Sequence, residues 1–230
     1  MGRLHLEPPR VPEGLELDAE ASAEIRRRLA DEEAAEVDRI TRRWEERQAR
    51  RKYARLGLEP ADADQPCNVS LADELLAWLS TPGRGHNALL WGDVGTGKTA
   101  CAKRVLLRFP GGGAFLSEAN MASALRSCFR GTGDAERFTD AWCRAPLLVL
   151  DDMGKAAGAE YRDWLAASVW EVADRRWTAG LPTLVTANER GSDLVARFGD
   201  PTVREAVYSR LFAGAKVKHL AGRDRRADDA

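Results

Sequence analysis

The 230-residue sequence contains no apolar run long enough to cross a bilayer; the longest candidate, Ala145 to Leu150, falls far short. Its first residues, MGRLHLEPPRVPEG, lack the apolar core of a signal peptide. The four cysteines, Cys67, Cys101, Cys128 and Cys143, form no C-x2-C pair, and His5, His86 and His219 stand far from them. That spacing argues against a zinc site and against a disulfide framework, and free thiols suit a reducing compartment. Charge of one sign is not in excess. Lys and Arg number 35 against 36 Asp and Glu, so any nucleic-acid contact needs a local patch. No internal repeat is visible. These absences lead to the expectation of a soluble, cytoplasmic protein with no membrane contact.

Apolar residues are plentiful. They make up 44% of the chain, which rules out wholesale disorder. Charged residues reach 31%, above the usual quarter, so some segment should be a charge-rich solvated helix. Residues 1–17 read as a flexible lead. Residues 18–56 contain neither proline nor glycine and are rich in Ala, Glu and Arg, which are good helix formers. Ile25, Leu29, Val37, Ile40, Trp44 and Tyr53 recur there at roughly helical spacing. Between Arg39 and Arg55 eight basic residues face two acidic ones. The run reads equally as a solvated face or as an arm that docks on a partner. Residues 57–66, GLEPADADQP, read as a linker.

A globular domain is expected over 67–226, with a short tail at 227–230. Leu71, Leu75, Leu76 and Leu79 predict a helix, with Ser70 as its N-cap. Predicted strands at Asn87–Trp91, Ala114–Ser117, Leu147–Asp151, Thr183–Thr186 and Lys216–Leu220 alternate with predicted helices. The helices lie at Lys98–Phe109, Met121–Arg130, Glu136–Arg144, Tyr161–Thr178 and Thr202–Phe212. Such alternation implies an α/β fold, a mostly parallel sheet covered on both faces. Trp164, Trp170 and Trp177 are expected to pack a helix on that sheet.

The chemistry begins right after the first strand. Gly92-Asp93-Val94-Gly95-Thr96-Gly97-Lys98-Thr99 fits G-x-x-x-x-G-K-[ST] in full. Glycines let successive N–H groups turn inward around phosphate oxygens, and the following helix aims its positive end at them. Lys98 can reach the β- and γ-phosphates, and the Thr99 hydroxyl can ligate Mg²⁺. A second carboxylate is needed for the metal, and Asp151 ends the apolar run Leu147–Leu150. Asp152 beside it can orient or deprotonate an attacking water. One predicted strand lies in sequence between the phosphate loop and Asp151, as in ATPases with an adjacent catalytic acid. With no guanine-binding N/T-K-x-D signature, ATP is the expected nucleotide.

Asn188 follows the next buried strand. It either hydrogen-bonds the attacking water or simply makes a loop. Arg210, in Ser209-Arg210-Leu211, is either a surface ion-pair partner or a group that reaches a neighbouring subunit's ATP. Arg126, Arg130, Lys155 and Arg162 lie where a DNA channel could run, with Phe129 the adjacent aromatic.

Together GDVGTGKT, LLVLDDMG, VWEVADRRWTAGLPTLVTANE, SRL and the terminal GRDRR resemble AAA+ ATPases of the DnaC/DnaI helicase-loader type, with the IstB-like ATP-binding proteins as close relatives. The resemblance implies a five-stranded parallel P-loop sheet in the order 5-1-4-3-2. Gly92–Thr99 would be Walker A, Asp151 and Asp152 Walker B, Asn188 sensor 1, and Arg210 an arginine finger acting in trans. It further implies ATP with Mg²⁺, a homo-oligomer when ATP is bound, single-stranded DNA, and a replicative helicase gripped by residues 18–56. Two features depart from that pattern. Asp152 stands where Glu is commoner, and only about ten residues follow the last strand, too few for a full helical lid. Two other readings keep the same core: an IstB-like transposition helper on duplex DNA, and an ATP-binding adaptor that does not hydrolyse.

Overall fold

The computed structural model describes residues 65–130, 135–155, 159–222 and Asp224, with scattered helical, exposed positions between Glu24 and Arg39. The expected arm at 18–56, the linker at 57–66 and the tail at 227–230 lie wholly or largely outside the described residues. The described residues from Gln65 onward belong to one compact unit, and the described positions between Glu24 and Arg39 belong to another.

The chain from Gln65 alternates helix and strand. Its elements are α1 (Val69–Leu79), β1 (Ala88–Gly92), α2 (Lys98–Arg108), β2 (Gly113–Ser117), α3 (Glu118–Phe129), α4 (Ala135–Arg144) and β3 (Leu147–Met153). They continue with α5 (Ala159–Ala179), β4 (Thr183–Ala187), α6 (Gly191–Ala196), α7 (Pro201–Leu211) and β5 (Lys216–Leu220). The five strands pair in parallel in the order β2-β3-β4-β1-β5, which is the expected 5-1-4-3-2 read from the other edge. Helix α1 starts two residues earlier than Ser70 as N-cap would place it. Asn68 is the N-cap instead, its side chain accepting from Leu71 N at 3.0 Å.

Strand alternation splits the core between two faces. Ala88, Leu90, Leu147 and Val149 pack against α1 and α2, through Leu75, Leu79, Val105 and Leu106. Leu89, Leu148 and Leu150 pack against α3 to α7, through Met121, Trp142, Leu165, Val169 and Phe212. The central strands β1, β3 and β4 are therefore covered on both faces, while the edge strand β5 stays part-exposed. Of the three tryptophans expected in the core, Trp170 is 43% exposed, because it falls on the outer side of α5. Trp177 is half-buried, and no side-chain description extends to Trp164. All four cysteines are free thiols; burial pushes Cys101 up to about 12, so it is inert at neutral pH. No described helix is long and apolar enough to cross a membrane.

This topology fixes where chemistry can sit. In a parallel sheet every strand delivers its last residues to the same edge. Gly92 ends β1, Asp151 and Asp152 end β3, and Asn188 follows β4, all at that edge. β4 lies between β1 and β3, so Asn188 stands between the phosphate loop and the two aspartates.

Candidate nucleotide site

The phosphate loop bends at backbone angles that only glycine adopts without strain. Gly92 has φ 142° and Gly97 has φ 90°. At Gly92 a Cβ would also lie 2.2 Å from the Leu220 carbonyl oxygen, so the loop leaves β1 with β5 hard against it. Gly97 is the N-cap of α2 and offers no side-chain cap. The first N–H groups of that helix are thus left for an anion.

Lys98 is 7% exposed and its ammonium folds back onto its own loop. Nζ donates to the carbonyl oxygens of Gly92 at 2.8 Å and Asp93 at 2.6 Å. Burial lowers its pKa, and the nearby Asp152 charge opposes that shift. Thr99 Oγ donates to Asp151, 3.0 Å from Oδ1 and 3.2 Å from Oδ2. The two halves of the expected site are therefore in direct contact, although 52 residues separate them in sequence. Asp151 is buried, and its pKa is raised by desolvation against the opposing pull of hydrogen bonds from Thr186 and Thr99. A hydroxyl and a carboxylate side by side form the hard oxygen pair that Mg²⁺ takes, so Thr99 and Asp151 fit the ion.

Sequence reasoning missed Thr186. Its hydroxyl donates to Asp151 Oδ1 at 2.7 Å and accepts from Asp152 N at 2.9 Å, bridging both aspartates from β4. The only available signal was a second threonine near the C-terminal end of the TLVTA strand. Asp152 is the one non-glycine among the described residues with a positive φ, 59°. That angle breaks the β3–β4 register between Leu150 and Met153 and turns the Asp152 carboxylate to Lys155, with Oδ2 2.7 Å from Nζ. Lys155, one of the DNA candidates, thus faces the site's own acid. Asp224, also unforeseen, lies against the loop. A Cβ on Gly95 would sit 1.7 Å from its Oδ1, so the segment after β5 returns to the rim of the phosphate loop.

Asn188 is exposed at the end of β4. Arg210 is not at this edge. Its carbonyl accepts from Asn87 Nδ2 at 2.8 Å, and Asn87 precedes β1. A five-residue strand spans about 16 Å, so Arg210 stands at the far end of the sheet from its own phosphate loop. Its guanidinium pairs with Asp174 at 2.9 Å and lies 5.8 Å from the Trp177 ring.

Solved structures share this fold. DnaI matches with a TM-score of 0.54 at 18% identity, over 69% of this chain and 89% of that one. A DnaC helicase loader matches at 0.53 and 22% identity, over 68% of this chain and 93% of that one. The chain has the P-loop NTPase fold. The replication initiator DnaA, in a structure bound to AMPPCP and single-stranded DNA, matches at 0.50 and 19% identity, over 67% of this chain but 45% of that one. No protein-family model matches the sequence, and no curated protein matches it. Gly92–Thr99 runs from the end of β1 into α2, and Asp151 and Asp152 lie at the end of β3.

Proposed function

We propose that this chain binds and hydrolyses ATP, and acts as a helicase loader in DNA replication. In this reading it engages a replicative helicase, through residues 18–56, and single-stranded DNA in an ATP-dependent homo-oligomeric assembly. The observation that carries the ATPase part is the contact of Thr99 with Asp151 beneath the phosphate loop. The loader part is supported by the likeness of the fold to DnaI and to the DnaC loader. The similar DnaA, solved with AMPPCP and single-stranded DNA, supports ATP and single strands as the ligands.

In this mechanism Lys98 leaves the Gly92 and Asp93 carbonyls and turns its ammonium to the β- and γ-phosphates. Thr99 and Asp151 would hold Mg²⁺, which would neutralise phosphate charge. Asp152 and Asn188 place the attacking water. Arg210, too far from its own loop, serves the ATP of a neighbouring copy by leaving Asp174. A change of assembly on hydrolysis requires that helicase or DNA binds the ATP and ADP states with different affinity. One observation favours a second reading, the adaptor that does not hydrolyse. The Asp152 carboxylate is held by Lys155, and a paired acid is a weaker base.

Two substitutions test the assignment. Lys98→Ala should weaken binding of a fluorescent ATP analogue about 10- to 100-fold, the worth of one charge-assisted hydrogen bond. Near-normal affinity would remove Lys98 from the phosphate site. Arg210→Ala should leave ATP affinity and thermal midpoint nearly unchanged, because its pair with Asp174 is part-exposed. It should cut turnover about 1000-fold or more if the group acts in trans. Turnover at the wild-type rate would return Arg210 to an ordinary ion pair. Wild-type turnover, measured against protein concentration with single-stranded or duplex DNA, decides between the readings. A rise with concentration and with single strands supports the loader. Stimulation by duplex alone supports a transposition helper, and ATP binding without turnover under any condition supports the adaptor.

A further inference from the structure

Glu118 is a buried carboxylate that none of the sequence motifs uses. It is 4% exposed and opens α3 at the end of β2, directly after Ser117, which pairs with Asp151. Its Oε2 accepts from Gly154 N at 2.5 Å and Lys155 N at 3.0 Å. Oε1 is buried and accepts from no described residue. A buried carboxylate with one idle oxygen is expensive, so helix capping alone does not account for it. Ser117 already caps α3 by accepting from Asn120 N at 3.2 Å.

The two N–H groups it holds belong to the turn that follows Asp152. Past Met153 the strand has ended, so these donors have lost the ladder. Gly154 sits at φ 99°, and a Cβ there would lie 2.8 Å from Leu194 Cδ1. The turn is therefore pinned by Leu194 on one side and by Glu118 on the other. Lys155 carries both contacts: its N–H goes to Glu118, and its ammonium goes to the Asp152 carboxylate. Arg197, whose pKa is raised mainly by its hydrogen bond to Glu189, also feels the Glu118 charge. Arg197 in turn pairs with Glu189, the residue after Asn188.

We infer that Glu118 is a positioning residue for hydrolysis. By accepting from Gly154 and Lys155 it closes the turn that keeps Asp152 in its left-handed conformation and so fixes the direction of that side chain. Glu118 touches neither nucleotide nor water. The role rests on the ATPase reading above, and it concerns the rate of hydrolysis rather than ATP binding.

The test compares full-length wild type, Glu118→Ala and Glu118→Gln. Three quantities are read: affinity for a fluorescent ATP analogue, kcat for ATP with single-stranded DNA, and amide exchange at Gly154 and Lys155. Glu118→Ala should keep affinity within about twofold and lose about tenfold or more in kcat, because a small misplacement of a reacting group is costly. Both amides should exchange faster. Glu118→Gln should recover kcat to within about threefold of wild type, since an amide oxygen accepts the same two N–H groups. The inference is overturned if Glu118→Ala keeps the wild-type kcat, if affinity and kcat fall together, if exchange at the two amides is unchanged, or if Gln does no better than Ala. A wild type that binds ATP without turnover overturns the hydrolytic reading itself. That result is distinct from an active wild type matched by an equally active Glu118→Ala.

Discussion

Replacing Arg176 by methionine should lower the midpoint of thermal unfolding by about 10 °C. Arg176 lies on α5 and is 1% exposed. Nε donates to Thr183 Oγ1 at 3.0 Å, and Nη2 donates to the Pro182 carbonyl at 2.6 Å. Nη1 donates to the carbonyls of Trp142 at 2.7 Å and Ala145 at 2.8 Å. Burial lowers its pKa to about 10, which still leaves it charged at neutral pH. Its partners are the last carbonyls of α4 and the turns that lead into β3 and β4. Helix-end carbonyls have no intrahelical donor and carry the negative end of the dipole, so a buried cation suits them. Methionine fills much of the space but leaves these oxygens dry and unpaired. Unpaired buried acceptors cost about 1–3 kcal/mol each, partly offset by no longer burying a charge. A net loss of about 3–5 kcal/mol is expected, at about 2–4 °C for each kcal/mol in a chain of this size. Thermal melts followed by circular dichroism check it, and a change under 2 °C would show that the carbonyls find other donors. ATP affinity of the folded fraction should hold, because Arg176 works at the entry end of β3 and β4, away from the phosphate loop.

Arg176 also shows what a sequence pattern can and cannot convey. The segment DRRWTAGLPTLVTAN was legible as a family resemblance, and the structure supplies a physical reason for its first part. The arginine is a polar staple within the core. All five strands lie where the sequence placed them; β1 and β3 were legible as apolar runs because they are buried on both faces, whereas the edge strand β5, KVKHL, is half polar and part-exposed. The phosphate loop was legible because its glycines and lysine are adjacent in the chain. What stayed hidden depends on pairs distant in sequence. Thr186 meets Asp151 across 35 residues and Glu118 meets Gly154 across 36. No local pattern announces either contact. The six-residue helix α6 was missed because so short a segment shows no full period. The exposure of Trp170 was missed because aromatic content, not its position around α5, guided the expectation.

Asp151→Asn should abolish function and stabilise the protein at once. Asp151 is 5% exposed, and burial raises its pKa. The folded chain therefore takes up this proton more readily than the unfolded chain does. Between the ordinary Asp pKa and the raised one the folded state binds more protons, so stability falls as pH rises through that window. At neutral pH the ionised, buried carboxylate is a net cost to the nucleotide-free protein. Asparagine removes the charge and keeps the contacts. Its Oδ1 accepts from Thr186, and its Nδ2 donates to Thr99 Oγ, which can accept as well as donate. Each kcal/mol of relief raises the midpoint by about 2–4 °C, and a rise in that range is expected at neutral pH. The variant should also lose the decline of stability with rising pH that Asp151 causes in the wild type. Hydrolysis should fall about 100-fold or more, since charge stabilisation by a bound metal is worth several kcal/mol. Mg²⁺ with ATP should raise the wild-type midpoint by mass action and leave that of the variant nearly unmoved. A midpoint below the wild type's would mean that Asp151 holds the fold together through its charge. The opposite pairing, a more stable protein that no longer turns over ATP, places the cost of that buried charge in the service of the nucleotide site.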